Sequence, residues 1–183
     1  MNGRLIGYLL LAAWASWLLA LLGLAGNFGI DRAWLPNAVL CLVILIAATL
    51  PRSEAFQAAL VLALASIAFS VDAPVAILAS YLGAALFVRT MRAGVEVHAP
   101  LPRAILCMGF VWLDGMWLVG VRAQRAVFAA AGLPGAQLRG GDLLSAALEV
   151  LPRALSSGLL AFAFGGLLLR LPGLRLLERR RAF

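Results

Sequence analysis

The stretch LIGYLLLAAWASWLLALLGLA, residues 5–25, carries no charged side chain over 21 residues, and it settles the solvent in which this chain folds. At about 1.5 Å of rise per residue, a helix of that length crosses the roughly 30 Å hydrocarbon core of a bilayer. No small-residue cleavage pattern precedes a polar mature segment, and more apolar runs follow. The stretch therefore reads as a retained membrane helix and not as a signal peptide.

Composition extends that reading to the whole chain. Of 183 residues, 64% are hydrophobic and 13% charged, and the mean hydropathy is +1.01. A soluble domain of this size has no interior large enough for so much apolar surface. Five further apolar runs follow, at residues 34–50, 55–70, 75–88, 103–121 and 153–171. Pro51-Arg52-Ser53-Glu54 separates the second from the third, and Val71-Asp72-Ala73-Pro74 the third from the fourth.

The expected fold is all-α: a polytopic integral membrane protein of about six transmembrane helices, one transmembrane domain over residues 1–183, and no extramembrane domain. The longest connection, residues 122–152, is expected as an outer loop around the turn-forming Gly132-Leu133-Pro134-Gly135. Its flanks at 123–131 and 142–151 could each form a short helix at the interface.

The net charge is +7, and all fifteen basic residues are arginine. They are spread among short connections between apolar runs, a pattern of topological charge that gives no nucleic-acid surface. With six helices, ten arginines fall on the side of Arg4, Arg52, Arg89, Arg92, Arg103 and the tail, and five on the side of Arg32, Arg122, Arg125, Arg139 and Arg153. Cytoplasmic flanks are enriched in arginine, so both termini are expected in the cytoplasm.

Chemistry-bearing constellations are sparse. Cys41 and Cys107 lie far apart in sequence inside apolar runs, with no further Cys or His at ligand spacing, so neither a disulfide nor a metal site is expected. His98 sits alone in a polar connection. Gly-rich phosphate loops, paired carboxylates and Ser-His-Asp sets are missing, so no enzyme activity, cofactor or metal is expected.

Asp114 is the residue to weigh, because a carboxylate inside an apolar helix is costly unless protonated, paired or turned toward protein. It could serve a proton or cation site, or an interhelical contact with Ser66, Ser70, Ser80 or Ser157. Only one helix offers a carboxylate, which argues against a pump. Small residues recur four apart at Ala76, Ser80 and Ala84, at Ala79 and Gly83, and at Ala161 and Gly165, spacings that let helix backbones approach closely. The candidate interhelical or partner contacts are Asp114, Asp72, Pro74, Ser80, Gly83 and Ser157.

Several local features together resemble the bacterial rod shape-determining protein MreD family. They are Leu35-Pro36-Asn37 opening the second run and Leu50-Pro51-Arg52 closing it, the acid in Gly109-Phe110-Val111-Trp112-Leu113-Asp114, and Leu151-Pro152-Arg153-Ala154-Leu155 ahead of a basic tail. The stretch Ala68 to Ala76 keeps the family's proline without its glycines, and Ser157 stands where the family carries asparagine. The resemblance implies a non-enzymatic scaffold of the cell-elongation and peptidoglycan-synthesis machinery in the bacterial inner membrane. It implies an MreC-like partner, with links to MreB, RodA and a class B penicillin-binding transpeptidase. The alternative is a substrate-binding membrane subunit of a vitamin-type transporter, which a polar pocket at the outer face would favour. A lipid-filled or protein-covered groove would favour the scaffold. A membrane enzyme of lipid metabolism would need a polar cluster that the sequence does not display.

Overall fold

The computed structural model describes residues 3–29, 31–91, 99–129, 140–171, 174 and 177. Among these are six α-helices and no strand: α1 (Gly3–Asn27), α2 (Ala38–Thr49), α3 (Arg52–Ala68), α4 (Pro74–Met91), α5 (Pro100–Ala129) and α6 (Gly140–Leu168), with one 3-10 turn at Arg32–Trp34. Four stretches are long and apolar enough to cross a membrane: Arg4–Ala25, Pro74–Met91, Pro100–Arg125 and Leu144–Leu168. Large apolar side chains from Leu5 to Leu167 stand exposed on the outside of the bundle, as lipid-facing surface would.

Each boundary has a local cause. Gly29 takes a φ of 83°, a left-handed conformation that favours glycine, in the turn after α1. The side chain of Asn37 accepts from the Leu40 N–H and caps α2, and Pro51 follows its C-cap residue, Leu50. Pro74 is the first residue of α4, where its missing N–H is no loss.

Burial follows helical periods in the outer elements. In α3 the buried positions are Glu54, Ala55, Ala58, Ala59, Leu62, Ala63 and Ser66, one face of a 3.6-residue repeat. Among the described side chains of α1, only Gly7, Leu11 and Ala15 are buried. By contrast α2 has no outward face, because all of Ala38 to Ala48 is buried. Lipid tails are as apolar as leucine, so what holds α2 is close packing against its neighbours and not transfer from water.

Three expectations change. The second run, expected over 34–50, is a helix of only 12 residues, about 18 Å long, because Pro36, Asn37 and Pro51 fence it. The flanks of the expected outer loop at 122–152 are helical, as the reading of 123–131 and 142–151 allowed, but they continue α5 and α6 instead of forming separate short helices. α5 runs on to Ala129 and α6 begins at Gly140, since a helix projecting past the apolar core needs no apolar composition. Pro152, read as a helix start, lies inside α6, as membrane helices tolerate where neighbours re-satisfy the freed backbone group. The Gly132 to Gly135 turn, Arg92, Glu96, His98, Arg139 and the tail arginines beyond Arg170 lie outside the described residues.

α5 and α6 form an antiparallel hairpin closed by glycines. A Cβ on Gly115 would lie 2.2 Å from Val150 Cγ1, and one on Gly158 would lie 3.2 Å from Met108 Cβ. A Cβ on Gly165 would lie 2.3 Å from Arg103 Nε. Arg103, expected as topological charge, is instead buried, and its guanidinium donates to the Ala161 and Phe162 carbonyls at 2.8 and 3.1 Å. The Ala161/Gly165 spacing thus serves contact within the chain.

Candidate functional site

Asn37, Ser80, Asp114 and Ser157 come from four helix regions and meet at one end of the bundle. The Asn37 side chain has its oxygen committed to capping Leu40 N–H at 3.2 Å, which turns its amide nitrogen outward to donate to Asp114 Oδ2, also at 3.2 Å. Ser80 Oγ donates to Asp114 Oδ1. The Asn37 backbone N–H donates to Ser157 Oγ at 2.8 Å, and that hydroxyl donates to the Arg153 carbonyl at 2.7 Å. Tyr81 donates to Asn37 Oδ1 at 3.4 Å and accepts from Ser66 at 3.1 Å. The network links α2, α3, α4, α5 and α6, and among the described residues no buried side-chain nitrogen or oxygen lacks a partner.

Of the four serines weighed as partners for Asp114, Ser80 bonds it directly and Ser157 is joined through Asn37. Ser66 is joined through Tyr81 and Asn37, whereas Ser70 bonds Asp72, donating to Oδ2 at 3.4 Å. Asn37 and Arg153 entered the sequence reading only within motifs or as topological charge, and Tyr81 did not enter it. A lone amide between Pro36 and a wholly apolar run was the available signal for Asn37.

Asp72 lies nearer the end of the bundle, in the turn between α3 and α4. Arg122 grips it bidentately, Nε to Oδ1 at 2.7 Å and a terminal nitrogen to Oδ2 at 3.0 Å. That hydrogen bond holds the Asp72 carboxyl below its ordinary value, against the opposing effect of burial. A carboxylate lowered in this way contributes stability that is complete above its unfolded value and is lost as pH falls through the folded one. Because Arg122 is 64% exposed, the pair is worth at most about 1 kcal/mol. Asp72→Asn should therefore lower the melting temperature in detergent by a few degrees at neutral pH, and the difference from wild type should close in acid, as pH falls through the lowered Asp72 value. A gap that persists in acid would show that the side chain acts through shape and not charge.

Two spaces adjoin the network. A cavity of about 130 Å³ is bordered by Asn37, Ser66, Asp72, Tyr81, Asp114 and Arg153, so the structure brings two of the candidate contact residues, Asp72 and Asp114, to the same space. A cleft of about 330 Å³ lies between α4 and α5, walled by Ala79, Gly83, Phe87, Phe110 and Trp117, with Ser80 and Asp114 also lining it. Trp117 Nε1 bridges to the Ala76 carbonyl at 3.1 Å. A Cβ on Gly83 would meet nothing within 4 Å.

At the opposite end, Arg4 pairs with Glu54 at 3.4 Å, Tyr8 donates to Gln57 at 2.7 Å, and Arg89 donates to the Leu50 carbonyl at 2.7 Å. Cys41 and Cys107 are free and buried, and their thiols lie against each other despite their separation in sequence. Among the described residues no group of three metal-ligating side chains forms. Comparison of the chain with protein-family models, with curated proteins and with solved structures finds no match.

Proposed function

We propose that this chain is a non-enzymatic scaffold of the bacterial cytoplasmic membrane, crossing it with six helices and receiving a partner's membrane helix in the α4/α5 cleft. The observation that carries the reading is the cleft itself. It is apolar, open along Gly83, and flanked by Phe87, Phe110 and Trp117, aromatic side chains that supply broad contact area. Close approach at a small residue is how membrane helices associate when no hydrophobic drive separates protein from lipid. The partner is an MreC-like single-span protein, with MreB, RodA and a class B penicillin-binding transpeptidase in the same assembly. This follows the resemblance carried by Pro36, Asn37, Asp114 and Pro152. Both termini face the cytoplasm, in keeping with Arg4, Arg52, Arg89 and Arg103 at one end of the bundle.

The polar cavity favours the second reading, a transporter's substrate-binding subunit. Its size weighs against a vitamin, because about 130 Å³ falls well short of the roughly 300 Å³ at which pockets for drug-sized ligands begin.

Native purification in mild detergent tests the proposal. The expected result is recovery of an MreC-like protein together with peptidoglycan-synthesis enzymes. A Cβ at Gly83 has open space around it, so Gly83→Trp, which projects an indole from that open position, should cut that recovery at least tenfold while leaving the melting temperature within a few degrees of wild type. Recovery of an ATPase energising module, or undiminished recovery of the partner with the tryptophan in place, would overturn it.

A further inference from the structure

A cleft of about 290 Å³ opens where the turn before α4 meets the last third of α5. The apolar stretches Pro74–Met91 and Pro100–Arg125 start and finish beside it, which sets it at the height of lipid headgroups. Toward the bilayer its lining is apolar, formed by Ala76, Leu118 and Val121, and Val71 stands fully exposed on its rim. The remaining lining is charged and does not balance. Arg122 spends Nε and one terminal nitrogen on Asp72, which leaves its other terminal nitrogen without an acceptor among the described residues. Arg125 is exposed, and among the described residues it has neither a hydrogen-bond nor an ion-pair partner for its side chain. Two guanidiniums against one carboxylate give the lining a net positive charge.

We propose that this cleft seats a phospholipid whose headgroup is negatively charged, its phosphate held by Arg125 and the free edge of Arg122, and its acyl chain laid along Ala76, Leu118 and Val121. A guanidinium suits a phosphate because parallel N–H groups meet two of its oxygens. The charge count selects the lipid class. A zwitterionic headgroup brings its own cation and leaves the net charge of the cleft uncompensated, whereas a headgroup of the phosphatidylglycerol type cancels it. A free phosphate ion would meet the arginines and leave the apolar lining without an occupant. Asp72 sets the strength of the grip, because it holds one edge of Arg122 away from the phosphate.

The inference goes beyond the scaffold reading and does not rest on it, since binding is measured on the purified chain without a partner. The full chain in mild detergent is titrated with short-chain phosphatidylglycerol and phosphatidylcholine, and bound lipid is counted by native mass spectrometry. The expected result is saturable binding of phosphatidylglycerol, about tenfold tighter than phosphatidylcholine, as one charge-assisted contact supplies. Arg125→Gln should remove that preference with the melting temperature unchanged, because the side chain holds nothing else among the described residues. Arg52→Gln, an exposed arginine at the opposite end of the bundle, should leave the preference intact. Asp72→Asn should strengthen phosphatidylglycerol binding while lowering stability, since it frees the second edge of Arg122. A purely structural role for the Asp72 pair would not move binding and stability in opposite directions. Equal binding of the two lipids, equal losses in Arg125→Gln and Arg52→Gln, weaker binding in Asp72→Asn, or displacement of the lipid by millimolar inorganic phosphate would overturn the proposal.

Discussion

Replacing Asp114 by leucine is expected to destabilise the protein by about 1–3 kcal/mol, while asparagine at the same position leaves it within about 0.5 kcal/mol of wild type. Leucine strips the acceptor from two donors, the Asn37 amide and the Ser80 hydroxyl, and a buried donor without a partner costs about 1–3 kcal/mol. Membrane helices find substitute partners when loosened, which holds the sum toward the low end of the range. Asn37 cannot turn its amide over in response, because its oxygen caps Leu40 N–H. Asparagine at 114 can accept from Asn37 through its oxygen and donate to Ser80 through its nitrogen, since a hydroxyl serves equally as acceptor. Thermal unfolding of both variants in one detergent reads the difference directly. If leucine melts with wild type, the network does not hold these helices together. If asparagine falls as far as leucine, the negative charge itself supports the fold.

The second large effect is expected at Gly115. Its missing Cβ leaves room for Val150, whose methyl carbons would lie 2.2 and 2.9 Å from an added one. Overpacking of that kind typically costs about 1–3 kcal/mol. Here it also threatens the neighbouring Asp114, which must stay within reach of Asn37. Gly115→Leu should therefore lower stability by more than about 2 kcal/mol. Gly115→Ala should cost less, and adding Val150→Ala to it should recover most of the loss. A double-mutant cycle over these two positions should give a coupling of at least about 1 kcal/mol, and additive effects would place the crowding elsewhere.

Much of the architecture could be read from the lengths of apolar runs and from the prolines between them. Residues 5–25, 55–70 and 75–88 lie within α1, across α3 and within α4, with the breaks at Pro51 and Pro74 where the chain turns. The flanks at 123–131 and 142–151 were read as separate short helices, and their continuity with α5 and α6 was hidden for a physical reason. Arg122, Arg125 and Asp142 mark where a helix leaves an apolar environment, and a helix does not stop there unless its backbone is interrupted. Pro152 misled in the opposite sense, as an interruption that a packed helix absorbs.

The site was legible in pieces. Asp114 drew notice because one carboxylate in an apolar run needs a partner, and Ser80 was among the hydroxyls weighed for it. Asn37 entered only as part of a motif, because nothing local distinguishes an amide that caps one helix from one that also reaches another. The adjacency of Cys41 and Cys107, like the gathering of Asp72 and Arg153 around one cavity, depends on how α2 nests among its neighbours. Sequence spacing carries no record of that nesting.

The shortness of α2 bears on how the protein is made. Twelve residues give about 18 Å of helix, some 12 Å less than the hydrocarbon thickness, so this segment on its own would leave uncapped backbone or thinned lipid around its ends. Membrane biogenesis is commonly divided into insertion of independently stable spans and their later association. For α2 the two stages cannot be separated: its stable position exists only once α3, α4, α5 and α6 have closed around it, so its final burial waits on the synthesis of the whole chain.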